Sequence, residues 1–219
     1  GNYHDFESLL LKTALRHQLF EDVDYDTFSD DRNDLNRALV NLLSAVRMYT
    51  DQTKHTGSEL GGEKLKASME EAFSAAYDSD LSFRAMEALR NYAQHQSLPV
   101  HGFTATQSLV DDTPEVPFHE KRSRHSCKPN LNIEYLESCG RFKSMVLNEL
   151  KHLKTKRKSE LDLRPMVRRY VDGISGVHTR IRTLISANVT DAEKLVAEHY
   201  RRFRETIDAN AKALSAVET

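Results

Sequence analysis

The sequence predicts an all-α protein: a helical bundle, then an irregular or β-hairpin link, then a long antiparallel helical hairpin. Three observations carry this. Apolar residues recur at spacings of three and four through most of the chain, the period of a helix with one buried face. Only 8 Gly and 5 Pro occur among 219 residues, too few for a sandwich or barrel built on many tight turns. A seam of alternating four- and three-residue steps runs through Leu163, Val167, Tyr170, Ile174, Val177, Ile181 and Leu184, a heptad pattern over three repeats. Three stretches are expected: a bundle over 1–97, a link over 98–134 and a helical region over 135–219.

The first helix is expected over 5–20, with Phe6, Leu9, Leu10 and Thr13 on one face and Leu19 and Phe20 near its end. Glu21 to Asp31 reads as an acidic loop holding Tyr25 and Phe28. Asp30 or Asp31 then caps a second helix carrying Leu35, Ala38, Leu39, Leu42, Ala45, Val46 and Tyr49. Gly57, Gly61 and Gly62 break it. A third helix carries Leu65, Met69, Ala72, Phe73 and Ala76. Asp78-Ser79-Asp80 offers N-cap chemistry for a fourth, marked by Leu81, Ala85, Met86, Leu89 and Ala93. It ends near Gln96, because Pro99 disfavours helical geometry at Leu98.

In the link, Val100, Phe103, Leu109, Val110, Val116 and Phe118 are scattered among Thr, Ser, Gly and Pro. Helix is expected again over 133–158, with Leu136, Cys139, Phe142, Val146, Leu150 and Leu153 on one stripe. After the heptad seam, Thr190 and Glu193 form a capping box, so a last helix begins after Asn188, carrying Val196, His199, Phe203, Ile207 and Leu214. A short turn makes the last two helices antiparallel neighbours. The seam then either packs within the molecule or forms an arm that recruits a partner.

The two cysteines, Cys127 and Cys139, form no disulfide framework and suit a reducing, cytoplasmic compartment. No apolar run nears the roughly 20 residues that cross a bilayer, so no membrane partner is expected. No signal peptide is visible, and the leading Gly1 reads as an expression scar that leaves the natural N-terminus open. Net charge is -2 but uneven: about 10 basic and 20 acidic residues in 1–119, against about 21 and 13 in 120–219. Such halves either meet nucleic acid or pair with each other, within one chain or between two subunits.

The chain lacks a Walker loop, a dinucleotide fingerprint, His-Glu-x-x-His and Gly-x-Ser-x-Gly. His119, His125 and Cys127, beside Glu120, match no standard zinc spacing and read as an exposed polar loop. No metal or cofactor is expected. Lys151, Lys154, Lys156, Arg157 and Lys158 form one basic cluster, and Arg201, Arg202 and Arg204 another. Both supply phosphate-contacting cations, or else a solvated face over a buried stripe.

The remaining candidate is Arg90-Asn91-Tyr92-Ala93-Gln94-His95. On a helix, Asn91 and His95 are i,i+4 neighbours, with Arg90 on the flank. An imidazole that titrates near neutrality, a fixed cation and a neutral amide are the groups a metal-free phosphodiester cleavage needs. The bland alternative is a polar helix end facing water.

These residues resemble the Arg-x(4–6)-His signature of HEPN domains, in which the residue after the Arg is commonly Asn, Asp or His. HEPN domains are small α-helical bundles that often dimerise so that two Arg/His pairs meet in one cleft. Many are metal-independent endoribonucleases of toxin–antitoxin, phage-defence and CRISPR-associated systems. The resemblance covers less than half of the chain, and a large region follows the motif. It implies that His95 transfers a proton, that Arg90 neutralises charge on the phosphorane, and that Asn91 orients His95 or a phosphate oxygen. RNA, a second copy of the chain and a neutralising protein would be the partners. The alternative is a non-catalytic helical module that binds a protein through 163–214.

Overall fold

The computed structural model describes the backbone of residues 1–19, 24–110, 123–153 and 160–217, and the side chains of all of these but 18–19 and 209–217. Of the expected features, Phe20, Val116, Phe118, His119, Glu120, Lys154, Lys156, Arg157, Lys158 and the side chains of Leu19 and Leu214 lie outside the described residues. The described fold is all-α with one small sheet.

Helix α1 spans Asn2–Leu19 and buries Phe6, Leu10, Thr13 and Ala14 against α2, which spans Tyr25–Ser79. The acidic stretch is mostly helix rather than loop. Asp24 caps α2, accepting from the Thr27 backbone N–H at 2.8 Å, so neither Asp30 nor Asp31 is the cap. Asp31 is instead buried, 2% exposed, where its carboxylate accepts from Arg16 Nη1 at 2.6 Å and lies 2.8 Å from His17 Nε2. An uncompensated carboxylate there would be costly, and these two α1 groups supply the compensation.

The break in α2 falls at Gly61 and Gly62, where Gly62 takes φ 63°. Gly57 does not break the helix. A Cβ on it would sit 2.6 Å from Met69 Sδ and 3.2 Å from Lys66 Cα, so its bare backbone lets the two arms of α2 close on each other. Helix α3, Leu81–His95, starts as expected: the Ser82 N–H donates to Asp80 Oδ1 at 2.5 Å.

The link after α3 is a β-hairpin. Strand β1, Gly102–Leu109, runs antiparallel to β2, Ser123–Asn132, with Phe103 opposite Pro129. A third strand was not expected: β3, Glu160–Asp162, pairs with the end of β2. The single helix expected over 133–158 is two. Helix α4, Ile133–Cys139, ends at Gly140, whose φ of 63° suits a residue without a Cβ, and α5 covers Ser144–His152. Both cysteines are free thiols.

Helix α6, Arg164–Leu184, buries Met166, Val167, Tyr170, Val177 and Ile181 against α2 and α3. The heptad seam is therefore consumed inside the molecule. Helix α7, Ser186–Val217, follows almost without interruption: Val189 N–H bonds to Ile185 C=O at 3.0 Å. Thr190 is no cap, because its hydroxyl donates to Ser186 C=O within the helix at 3.1 Å. The expected antiparallel packing of these two helices is absent. Every side chain from 186 to 208 is exposed, whereas a helix folded back on α6 would bury one face. One core joins residues of α1, α2, α3, both hairpin strands, α4, α5 and α6.

A buried amide fixes the hairpin to the bundle. Asn36, 1% exposed, donates from Nδ2 to Val100 C=O at 2.9 Å and accepts from Val100 N–H at 2.7 Å. Asn36→Ala strands both backbone groups away from water. The expected loss is about 2–4 kcal/mol, read as a lower urea midpoint at unchanged slope.

Candidate functional site

The C-terminal half of α3 forms one wall of a groove of about 940 Å³. Asn91, Tyr92, His95 and Gln96 line this wall, Arg47, Thr50, Lys54 and Tyr77 come from the arms of α2, and Gly140 to Lys143 form a third side. The sequence puts each there for a local reason. Leu89 and Tyr92 point into the core, which turns Asn91 and His95 outward one helical turn apart. Gly140 reverses the chain after α4. Phe142, buried with its ring 6.0 Å from that of Tyr92, anchors the loop and leaves Arg141 and Lys143 on either side of it.

Four cations, Arg47, Lys54, Arg141 and Lys143, meet two carboxylates, Asp78 and Glu87, in this groove. Arg141 Nη1 donates to Gln96 Oε1 at 2.8 Å, next to His95. Lys143 Nζ donates to the Tyr77 hydroxyl at 2.5 Å and lies 5.1 Å from the centre of that ring. Neither contact neutralises its cation. By contrast, Arg47 pairs with Asp51 at 2.9 Å, and Lys54 lies 3.7 Å from Glu70. Glu87 accepts from Tyr170 at 2.6 Å, and burial holds that phenol far above the usual tyrosine range, so it stays a neutral donor. Arg84 fixes the rim: its guanidinium donates to the carbonyls of Tyr77 and Asp78 at 3.0 and 2.8 Å and to Glu149 of α5 at 2.5 Å.

The three motif residues are not placed alike. His95 and Asn91 line the groove, and His95 is exposed there without a hydrogen bond or ion pair among the described residues. Arg90 does not line it. It is half-buried, and its Nη1 donates to Asn91 Oδ1 at 2.8 Å. The Asn91 carbonyl is thereby occupied, and its NH2 group remains as a donor. Arg90 Nε is buried without a hydrogen-bond partner among the described residues.

The expected RNA contacts lie elsewhere. Lys151 pairs with Glu137 at 2.5 Å, Arg201 pairs with Glu205 at 2.8 Å, Arg202 pairs with Glu198, and Arg204 lies over the Tyr200 ring at 5.9 Å. None of these four lines the groove. Arg141 and Lys143 were missed because two cations separated by Phe142 form no basic run, and each looks like an ordinary surface position. The Gly140 turn was the available signal. The exposed polar loop expected at His125 and Cys127 is instead part of β2, where Cys127 is buried, and that burial pushes its thiol up to about 12. Among the described residues no group of three His, Cys, Asp or Glu is placed to hold a metal ion. No described helix is long and apolar enough to cross a membrane.

The chain matches no protein-family model, no curated protein and no solved structure.

His101 supports the groove from behind. Its Nδ1 accepts from Asn132 N–H at 2.8 Å, so its proton sits on Nε2, and its ring meets the edges of Tyr92 and Tyr135 at 6.5 and 4.8 Å. Burial lowers its pKa below the ordinary 6.5. The unfolded chain therefore takes up this proton first. Stability from His101 is complete above about pH 6.5 and is lost as pH falls toward the lower folded value. Denaturant melts between pH 7.5 and 5.5 should show a falling midpoint. His101→Asn, which keeps an acceptor at the same place but does not titrate, should show a shallower fall.

Proposed function

We propose that this groove binds RNA and cleaves it by metal-independent transesterification, as the resemblance to HEPN ribonucleases implies. One observation carries the reading: His95, unpaired among the described residues, and the Asn91 amide share a groove with Arg141 and Lys143. A phosphodiester needs cations to hold it and a side chain that can transfer protons, and Arg141, Lys143 and the His95 imidazole supply these types of group here.

In this scheme the RNA 2′-hydroxyl attacks the adjacent phosphorus and the bond to the 5′-oxygen breaks. The products are a 2′,3′-cyclic phosphate and a 5′-hydroxyl. His95 takes the 2′-hydroxyl proton or gives one to the leaving oxygen. Arg141 and Lys143 hold the phosphate, and the Asn91 NH2 donates to one of its oxygens. Within one chain Arg90 is a positioning residue, acting through its bond to Asn91. A second copy that brings two motifs together would add its charge to the phosphate directly. A toxin–antitoxin or phage-defence setting, with a neutralising protein partner, belongs to the same proposal.

The second reading is a non-catalytic helical module that recruits a protein. The exposed apolar residues of α7 favour it.

RNA cleavage in excess chelator separates the two. The intact chain should cleave at an unchanged rate. His95→Ala should lose about 100- to 10,000-fold. Arg90→Ala should lose no more than Asn91→Ala where Arg90 only positions that amide, and on the order of 100-fold, about 3 kcal/mol, where a second copy brings its charge to the phosphate. Arg141→Ala and Lys143→Ala should weaken binding and each lower the salt slope by about one, raising KM more than they lower kcat. Cleavage that needs a divalent ion, or survives in both the His95 and Arg90 variants, sinks this mechanism. No cleavage by the intact chain leaves the module as the better reading.

A further inference from the structure

The described part of α7 carries one continuous apolar stripe that nothing among the described residues covers. Val189, Val196, Tyr200, Phe203 and Ile207 recur at three, four and seven residues, so they fall within a narrow arc of the helix surface. They are 46%, 68%, 61%, 61% and 49% exposed. At about 1.5 Å per residue the stripe is about 27 Å long. Five large apolar side chains in a row differ from the scattered exposed apolar residues of an ordinary surface.

The charges on α7 indicate what covers the stripe. On the outer face they are settled within the helix: Lys194 with Asp191 at 3.2 Å, Arg201 with Glu205 at 2.8 Å, and Arg202 with Glu198. The two charges that border the stripe on one flank are Glu193 and Arg204. Glu193 has no ion pair among the described residues, and Arg204 only lies over the Tyr200 ring. The polarity along the helix is also uneven. Asp191, Glu193, Lys194 and Glu198 give the first part a net charge of -2, and Arg201, Arg202 and Arg204 against Glu205 and Asp208 give the second part +1.

We propose that α7 pairs with α7 of a second copy of this chain, antiparallel, about a two-fold axis near residues 198 and 199. In that arrangement equivalent flanks meet, so Glu193 of each copy faces Arg204 of the other, twice by symmetry. Val189 meets Ile207, and Val196 meets Tyr200, across the seam. The acidic part of each helix lies along the basic part of the other. A parallel in-register pair would set acidic against acidic and basic against basic. The stripe is thus self-complementary in one orientation, and no other partner is needed to complete it. This surface is independent of the chemistry at His95.

The intact chain should sediment as a dimer at tens of micromolar and dissociate on dilution. Val196→Glu with Phe203→Glu should give a monomer with unchanged helical circular dichroism, because no residue there supports the core. Glu193→Arg alone, or Arg204→Glu alone, should weaken association on the order of tenfold, since each replaces two attractive contacts with two repulsive ones. The double variant E193R/R204E should restore it, the signature of antiparallel pairing. A monomeric intact chain at high concentration overturns the proposal, as does a dimer that survives the Val196 and Phe203 changes. Single charge reversals without effect, or a double variant weaker than either single one, overturn the antiparallel arrangement.

Discussion

Two hydrogen bonds from one buried side chain set the geometry on which the groove depends. The Asn36 amide presents an acceptor and a donor to Val100 as a neighbouring strand would, in the middle of a helical core. A chain leaving a helix has backbone groups that must find partners, and a helical bundle offers few. With Val100 satisfied, the segment after α3 is held, and His101 N–H can bond to Asn130 C=O at 3.0 Å. The hairpin then lies against α1, and its far end delivers Asn132, whose side chain caps α4 through the Tyr135 N–H at 2.9 Å. The Gly140 to Lys143 loop follows seven residues of helix later. Both the motif wall and the opposing cationic wall of the groove therefore trace back to the same amide.

That dependence explains why cations gather in an acidic half of the chain. Arg47 and Lys54 come from α2, in the stretch with a large excess of carboxylates, and each has an acid within reach. Arg141 and Lys143 come from the basic half and, among the described residues, meet neutral groups, an amide oxygen and a phenol. A cation beside a neutral acceptor keeps its long-range field, whereas an ion pair largely cancels it. The field that an anionic ligand meets in the groove is thus set by Arg141 and Lys143, which topology imports, against the carboxylates of Asp78 and Glu87. Local charge counts along the sequence point to other places.

Much of the architecture was legible because it is local. The cap at Asp80, the end of α3 before Pro99 and the apolar faces of α1, α2, α3 and α6 all follow from spacing and short-range chemistry. The errors share one cause, which is competition decided at a distance. Asp31 has good cap chemistry, but Arg16 and His17 on another helix claim it, and Asp24 caps instead. Gly57 looks like a breaker, but the approach of Met69 from the other arm gives its missing Cβ a packing role. Strand β3 is three residues long and exists because the end of β2 has groups left to pair. In the site, Asn91 and His95 were legible as helical neighbours. The detachment of Arg90 from the groove was not, because it depends on which flank of α3 the rest of the core leaves open.

The two C-terminal helices show the limit of periodicity as a signal. Both carry apolar residues at heptad-like spacing, and the sequence does not distinguish them on that basis. The stripe of α6 is covered by α2 and α3, and Tyr170 is even fixed by a hydrogen bond to Glu87 beneath the groove. The stripe of α7 begins where α6 passes the tip of the α2 arms, near the bond from Asn188 Nδ2 to Leu60 C=O at 3.4 Å. Beyond that point the bundle offers no surface to pack on. A sharp turn at Ile185 would be needed to bring α7 back, and the chain there has neither a glycine nor a helix-stopping cap. Ile185 and Ser186 carry the helical hydrogen bonds through instead. Amphipathicity states that a face needs cover, and the residues at the turn decide whether the same chain can supply it.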